Sequence, residues 1–111
     1  MPAGTSPSVY IEHTTAVATW TGETGNSLPV NATRFIANSI QNTGAGTMTV
    51  QGSNDGVNWA TLNAQVSGTT GVPLTGVAAG SLYELIENPI WIRVVAASGS
   101  INAILVLRTS A

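Results

Sequence analysis

The chain has one histidine, five carboxylates and no cysteine, so few of its side chains are equipped for chemistry. His13 follows Glu12 and precedes Thr14 and Thr15. A nucleophile needs a positioned base, and His13 would have to recruit a distant serine together with Asp55. The nucleophile elbow G-x-S-x-G does not occur. Hydrolysis by two carboxylates needs two facing acids. Glu84 and Glu87 are three apart in an expected strand and therefore point to opposite faces. Glu84 is better placed as an ion-pair partner of Arg93 or Arg108. Asn54, Asp55 and Asn58 are oxygen donors around a turn, but the ligand spacing and distal Glu of a calcium loop are missing. An Asx turn, with Asp55 folded onto local amides, is the simpler reading. The residues assign no catalytic, cofactor or metal site. The chain reads as a protein that is not an enzyme and needs no cofactor.

The elements that carry these residues read as all-β. Gly and Pro recur along the chain and helix formers such as Lys, Gln and Glu are scarce. β-Branched residues are abundant and favour a pleated surface. Strands are expected over 9–12, 15–20, 33–41, 47–52, 57–62, 81–87, 90–97 and 101–109. Segment 1–8 is an N-terminal arm and 9–111 a single antiparallel β-sandwich, jelly-roll-like in its short strands and frequent turns. Segment 67–80 is the longest loop. It has room for a short strand around Val72–Leu74, which Pro73 would confine to a sheet edge. At 111 residues, area scaling gives a folded surface of about 5,700 Å².

Two regions set further expectations. Ser53-Asn-Asp-Gly56 marks a hairpin. Pairing Trp59 with either Gly52 or Val50 puts Met48, Val50, Val57 and Trp59 on one core face. In the last two strands apolar residues occupy both faces. Ile90, Ile92, Val94 and Ala96 oppose Trp91, Arg93, Val95 and Ala97. Ile101, Ala103, Leu105 and Leu107 oppose Asn102, Ile104, Val106 and Arg108. A sandwich strand is normally wet on one side, so the arm and long loop, or another subunit, must cover the second face.

Composition narrows the function. Only 7% of residues are charged, against about 25% in an ordinary soluble domain. Lysine is absent and the cations are Arg34, Arg93 and Arg108, too few and too scattered for a phosphate-tracking stripe. No nucleic-acid partner is expected. No apolar run reaches the roughly 18 residues of a membrane span, and residues 1–8 lack the basic and apolar regions of a secretory signal. The formal sequon Asn31-Ala-Thr33 carries no weight without one. Edge strands of soluble monomers are commonly guarded by lysine, which this chain does not have. A surface of Thr, Ser, Asn and Gln suits a protein docked on other proteins.

The stretch Val50-Gln-Gly-Ser-Asn-Asp-Gly-Val-Asn-Trp59 resembles a hairpin of small β-sandwich proteins in the virions of tailed bacteriophages. Ile90-Trp-Ile-Arg-Val-Val95, a Gly/Ser turn and Ile101-Asn-Ala-Ile-Leu-Val-Leu107 resemble their closing strands. The layout covers roughly the C-terminal two thirds of the chain. The hairpin alone also resembles that of discoidin-type domains, which bind sugars or lipid headgroups. The first resemblance implies a structural virion protein, made in the host cytoplasm, that decorates the capsid surface. It would sit there as a homo-oligomer, a trimer in its most concrete form, bound to the major capsid protein or to other virion proteins. The candidate interface residues are Trp91, Val95, Ile104, Val106, Trp20, Tyr83, Val72 and Leu74. A carbohydrate-binding tail, fibre or surface adhesion module is one alternative, resting on Trp20, Trp91, Tyr10 and Tyr83 as sugar platforms. A tail or head–tail connector subunit is another.

Overall fold

The computed structural model describes residues 4–65 and 71–109. Among these no helix occurs. Eleven strands form in chain order: β1 (Ser8–Glu12), β2 (Thr15–Glu23), β3 (Val30–Asn31), β4 (Ala37–Asn42), β5 (Thr47–Ser53), β6 (Ala60–Thr61), β7 (Asn63–Gln65), β8 (Val72–Pro73), β9 (Leu82–Leu85), β10 (Trp91–Ser98) and β11 (Ile101–Arg108). They pair antiparallel into a seven-stranded sheet, β1-β2-β11-β4-β9-β7-β8, and a four-stranded sheet, β3-β10-β5-β6. The solvent-accessible area is 5812 Å², close to the value that chain length sets.

Alternation of side chains builds the core. β11 is paired on both sides, with Leu105 opposite Ala18 and Ile40 and Leu107 opposite Ala16 and Asn38. Its odd-numbered residues from Ile101 to Leu107 are fully buried and Asn102, Ile104 and Val106 half-buried. In the small sheet Val94 pairs with Val50 and Ile92 with Gly52. Ile92, Val94, Met48 and Val50 face inward with no exposure. Pro73 does lie in an edge strand, as its missing N–H requires. The beginning of the 67–80 loop, through residue 70, lies outside the described residues, as do residues 1–3 of the arm.

The two closing strands differ from expectation in one decisive respect. They do not pair with each other. β10 belongs to the small sheet and β11 to the large one, and the Ser98–Ser100 turn carries the chain across the sandwich. β4 and β5 make the same crossing at the same end. There Thr43 N–H donates to Asn102 O (2.7 Å) and Gly46 N–H to Ser100 O (2.9 Å). A Cβ on Gly46 would overlap the Ser98 carbonyl, so this close approach requires glycine. The outer faces of β10 and β11 therefore look in opposite directions, and no single partner surface covers both.

The hairpin register also differs. Gly52 pairs with Ala60 and Gln51 with Thr61, one residue beyond the closer of the expected registers. A shift of one residue exchanges the faces. Trp59 leaves the core and is half-buried, and Val57 is 76% exposed. Their places are taken by Leu62, Leu74 and Val77, all buried. The backbone closes this seal: Leu62 N–H donates to Val50 O, Leu74 N–H to Leu62 O and Val50 N–H to Leu74 O, at 2.9–3.0 Å. Residues 33–35 are a turn, not the start of a strand. Asn31 Oδ1 accepts the Thr33 N–H at 2.9 Å, and Phe35 N–H donates to Ala32 O at 3.0 Å.

Residues 4–7 of the arm are held to the domain. Glu23 is buried, yet its Oε1 accepts the Thr5 N–H (2.6 Å) and its Oε2 the N–H groups of Gly25 (2.8 Å) and Thr24 (3.1 Å). Burial pushes the carboxyl up, but the three amide donors outweigh it and hold it below its usual value of 4.5. A carboxylate lowered in the folded state stabilises fully above its unfolded value. That contribution is lost as pH falls through the lower, folded value. The melting temperature is therefore expected to drop between roughly pH 5 and pH 3. Glu23→Gln is expected to start lower and to show a flatter acid limb in thermal melts.

Candidate functional site

Two surfaces gather the chemistry-bearing residues. The first is the Asp55 loop on the small sheet. Asp55 Oδ1 accepts from Ser53 Oγ (2.9 Å) and from the N–H groups of Val57 and Asn58 (both 2.8 Å), and its Oδ2 accepts from Asn58 Nδ2 (2.6 Å). The amides of Asn58 and Val57 hold its carboxyl far below the usual carboxylate range. The expected Asx turn is present, and it keeps the 53–59 loop wide. An open cleft of ≈ 510 Å³ runs beside it, lined among others by Asn54, Asn58, Glu87, Asn88 and Pro89. Glu87 is equally engaged, with Oε1 accepting the Asn63 N–H at 2.9 Å and Oε2 accepting Asn63 Nδ2. Burial raises its carboxyl, but the Asn63 donors outweigh this and leave it below its usual value. The two acids in this cleft thus aim their oxygens at their own chain.

On the outer face of the same sheet the Arg93 guanidinium lies 4.2 Å from the centre of the Trp59 ring, and its Nε donates to Gln51 Oε1 at 2.9 Å. Arg93 is therefore not the partner of Glu84, which lies in the other sheet opposite Ser39. Arg108 is also not cross-strand from Glu84. It sits opposite Thr15 and Ala37. Trp91 and Val95 share the outer face with Arg93 and are half-buried.

The second surface is the outer face of the large sheet. Cross-strand register lines up Tyr10, Val17, Val106, Ser39 and Glu84 in one row. Thr19, Ile104, Gln41 and Leu82 form the next. Tyr10 is 64% exposed and Leu82 63%. Tyr10 Oη donates to Glu12 Oε2 at 2.9 Å. These two residues, with His13 and Val17, help line a shallow cleft of ≈ 390 Å³. His13 sits at the tip of the β1–β2 hairpin with φ 52°, a left-handed position that histidine tolerates better than most residues. Among the described residues no three His, Cys, Asp or Glu side chains converge to hold a metal, and no helix is long and apolar enough to cross a membrane.

The interface candidates divide accordingly. Ile104 and Val106 lie on the outer face of the large sheet, Trp91 and Val95 on that of the small sheet, and Val72 is exposed in β8. Trp20 and Leu74 are corrections. Trp20 has no exposure and donates its indole N–H to Leu28 O at 2.8 Å, and Leu74 is 1% exposed. Neither can meet a partner of the folded chain. Tyr83 is half-buried against the core, opposite Ile40 on the inner side of its sheet. Two residues passed over in the sequence are Val9 and Ile11. The alternation of Ser-Val-Tyr-Ile-Glu marks a strand, but only the structure shows that residues on both of its faces are exposed.

With this geometry in place, likeness to solved structures is informative. The protein NMB1881 from Neisseria meningitidis superposes with a TM-score of 0.54 at 8% identity, over 97% of this chain and 88% of that one. A cupin domain from Bordetella pertussis gives 0.54 at 13% identity, over 100% and 98%. The fold, two antiparallel sheets forming a β-sandwich, is similar to these two structures. The SPBc2 prophage-derived protein YomS gives 0.46 at 10% identity, over 88% and 97%. No protein-family model and no curated protein sequence matches the chain.

Proposed function

We propose that the chain is a non-enzymatic structural protein of a bacteriophage virion, which decorates and stabilises the capsid by protein–protein contacts. The observation that carries this reading is the unpartnered outer face of the large sheet. Tyr10, Val17, Ile104, Val106 and Leu82 give it apolar ground, shared with the uncharged Thr19, Ser39 and Gln41 and bounded by the Glu84 carboxylate, on a chain with only three cations and five anions. Interface cores are depleted of charge and enriched in aromatic residues. The 50–59 loop and the closing strands, which resemble those of phage virion sandwiches, support the same reading. Function would be mechanical. A protein that binds only the assembled shell stabilises it by mass action, and many copies on one shell turn modest contacts into tight attachment.

The test is co-sedimentation with purified shells of the parent phage. Ile104→Arg and Val106→Arg place a charge on the outer face. Each is expected to reduce shell binding tenfold or more while the melting temperature stays within a few degrees. Undiminished binding by both variants would sink the proposal. One observation favours a carbohydrate-binding role instead. Arg93 stacks on Trp59 on the outer face of the small sheet, which Trp91 shares, and Asn54, Asn58 and Asn88 line a cleft at the same sheet; aromatic rings and amides are the equipment of sugar recognition. A glycan screen with Trp91→Ala as control separates that reading from shell binding.

A further inference from the structure

Among the described residues the two sheets have four edges, and they are not alike. β3, β6 and β8 are edge strands of two residues each, and β8 contains Pro73. Short strands and proline are the ordinary guards against pairing with another chain. β1 is the fourth edge. It is five residues long and holds no proline, no glycine and no cation, and its register with β2 runs unbroken from Ser8↔Thr19 to Glu12↔Thr15. All five of its residues are exposed, with Val9 at 44%, Tyr10 at 64% and Ile11 at 56%.

The direction of its free hydrogen-bonding groups follows from the turn. In a two-residue hairpin the pair closing the loop exchanges both backbone bonds, and such pairs then alternate along the ladder. Glu12, Tyr10 and Ser8 therefore spend their N–H and C=O groups on β2. Val9 and Ile11 aim theirs at the open edge.

We propose that β1 is a homodimerisation edge, which pairs antiparallel with β1 of a second copy about a two-fold axis at Tyr10. In this register Val9 faces Ile11 of the second copy as a hydrogen-bonded pair, and the reciprocal contact repeats it. The free backbone groups thus meet each other. The side chains agree with the backbone. Val9 and Ile11 lie on the inner side of their sheet, cross-strand from Ala18 and Ala16, where the small sheet leaves them uncovered. Two copies bring four such residues together. Tyr10 meets its own equivalent. Glu12, the one charge on the strand, faces Ser8, so no like charges oppose each other. A two-fold axis moved two residues toward the turn, to Glu12, would set Glu12 against Glu12. The inference rests on β1 alone and holds whether or not the protein belongs to a virion. The edge is smaller than the roughly 800 Å² per partner of a standard interface, so the pairing is a reversible one.

Light scattering across a hundred-fold dilution series, combined with cysteine cross-linking, tests this. The unaltered chain is expected to move from dimer toward monomer on dilution. Ile11→Lys guards the edge and is expected to be monomeric throughout, whereas Ile36→Lys, at an exposed residue elsewhere, leaves the dimer intact. The two Tyr10 positions form a non-hydrogen-bonded pair with Cα atoms about 4.5 Å apart, within disulfide range. Because the chain has no cysteine, Tyr10→Cys is expected to form a disulfide dimer under mild oxidation at least tenfold faster than Val72→Cys. The proposal is overturned by a chain monomeric at every concentration, by a trimer or ring that Ile11→Lys leaves intact, or by equal cross-linking of the two cysteine variants. Pairing of the edge only with an extended segment of a different protein, the chain itself remaining monomeric, overturns it as well.

Discussion

Trp20→Ala is expected to lower the stability of the domain by about 3–5 kcal/mol, the range for truncating a large buried aromatic. Trp20 is the largest of the fully buried side chains and shows no exposure. Its loss removes the packing between β2 and the chain entering β3, and it leaves the Leu28 carbonyl without its indole donor. Domains of this size are stable by roughly 5–15 kcal/mol, so the variant is expected to melt roughly 15 °C lower or to fail to fold. Thermal melts by circular dichroism check this. The result also decides between two roles for the residue. A surface platform for sugar or protein would tolerate alanine with its melting temperature nearly unchanged and lose only binding.

The second large effect is expected at Asn42, the last residue of β4, where the chain leaves the large sheet. Its side chain is fully buried. Nδ2 donates to Gly46 O (2.8 Å) and Val77 O (2.9 Å), and Oδ1 accepts the Gly44 N–H (3.0 Å). Asn42→Ala leaves the Gly46 carbonyl and the Gly44 amide without these partners in the interior, and the Val77 carbonyl with only the Met48 N–H. Each unsatisfied group costs about 1–3 kcal/mol, so a loss of about 3 kcal/mol or more is expected in urea unfolding. Asn42→Asp is a sharper probe. An ionised carboxylate would face two carbonyl oxygens, and the neutral acid donates to only one of them. Burial raises such an acid in the folded state. The variant is therefore expected to be at least as unstable as Asn42→Ala near pH 7 and to recover partly as pH falls toward 4, opposite in sense to the acid loss expected from Glu23. An asparagine acting only as a surface cap would give neither the magnitude nor the pH dependence.

Much of the fold was legible because period-two patterning is a local property. The alternation of Ile92, Val94 and Ala96 with Trp91, Arg93 and Val95, and that of the last strand, name the inward residues correctly. The Asx turn at Asp55 is equally local, since a carboxylate reaches amides two and three residues ahead. What stayed hidden depends on distant partners. Nothing in residues 90–109 says that its two strands belong to different sheets. That is decided by the crossing at Gly46 and Ser98 and by the hydrogen bonds there. Trp59 left the core because the loop closed by Asp55 is longer than a tight turn, and Leu62 and Leu74 fill the space from farther along the chain. β3 is too short for any periodicity to register. For the candidate site, the outward placement of Ile104, Val106, Trp91 and Val95 was readable from alternation. The exposure of Val9 and Ile11 was not, because it depends on how far the opposite sheet extends.

The position of β11 has a consequence for how the protein is made. It is the last of the described strands, yet it lies between β2 and β4 and supplies the partner edge of each. Until synthesis has passed Arg108, those two strands cannot be joined, and the apolar sides of both wait in water or against a chaperone. The sheet therefore cannot assemble progressively on the ribosome. It closes in one late step, slowed by the loop-closure entropy of contacts distant in sequence. A chain stalled a dozen residues early is then not a shortened domain but an open pair of half-sheets with two adhesive edges.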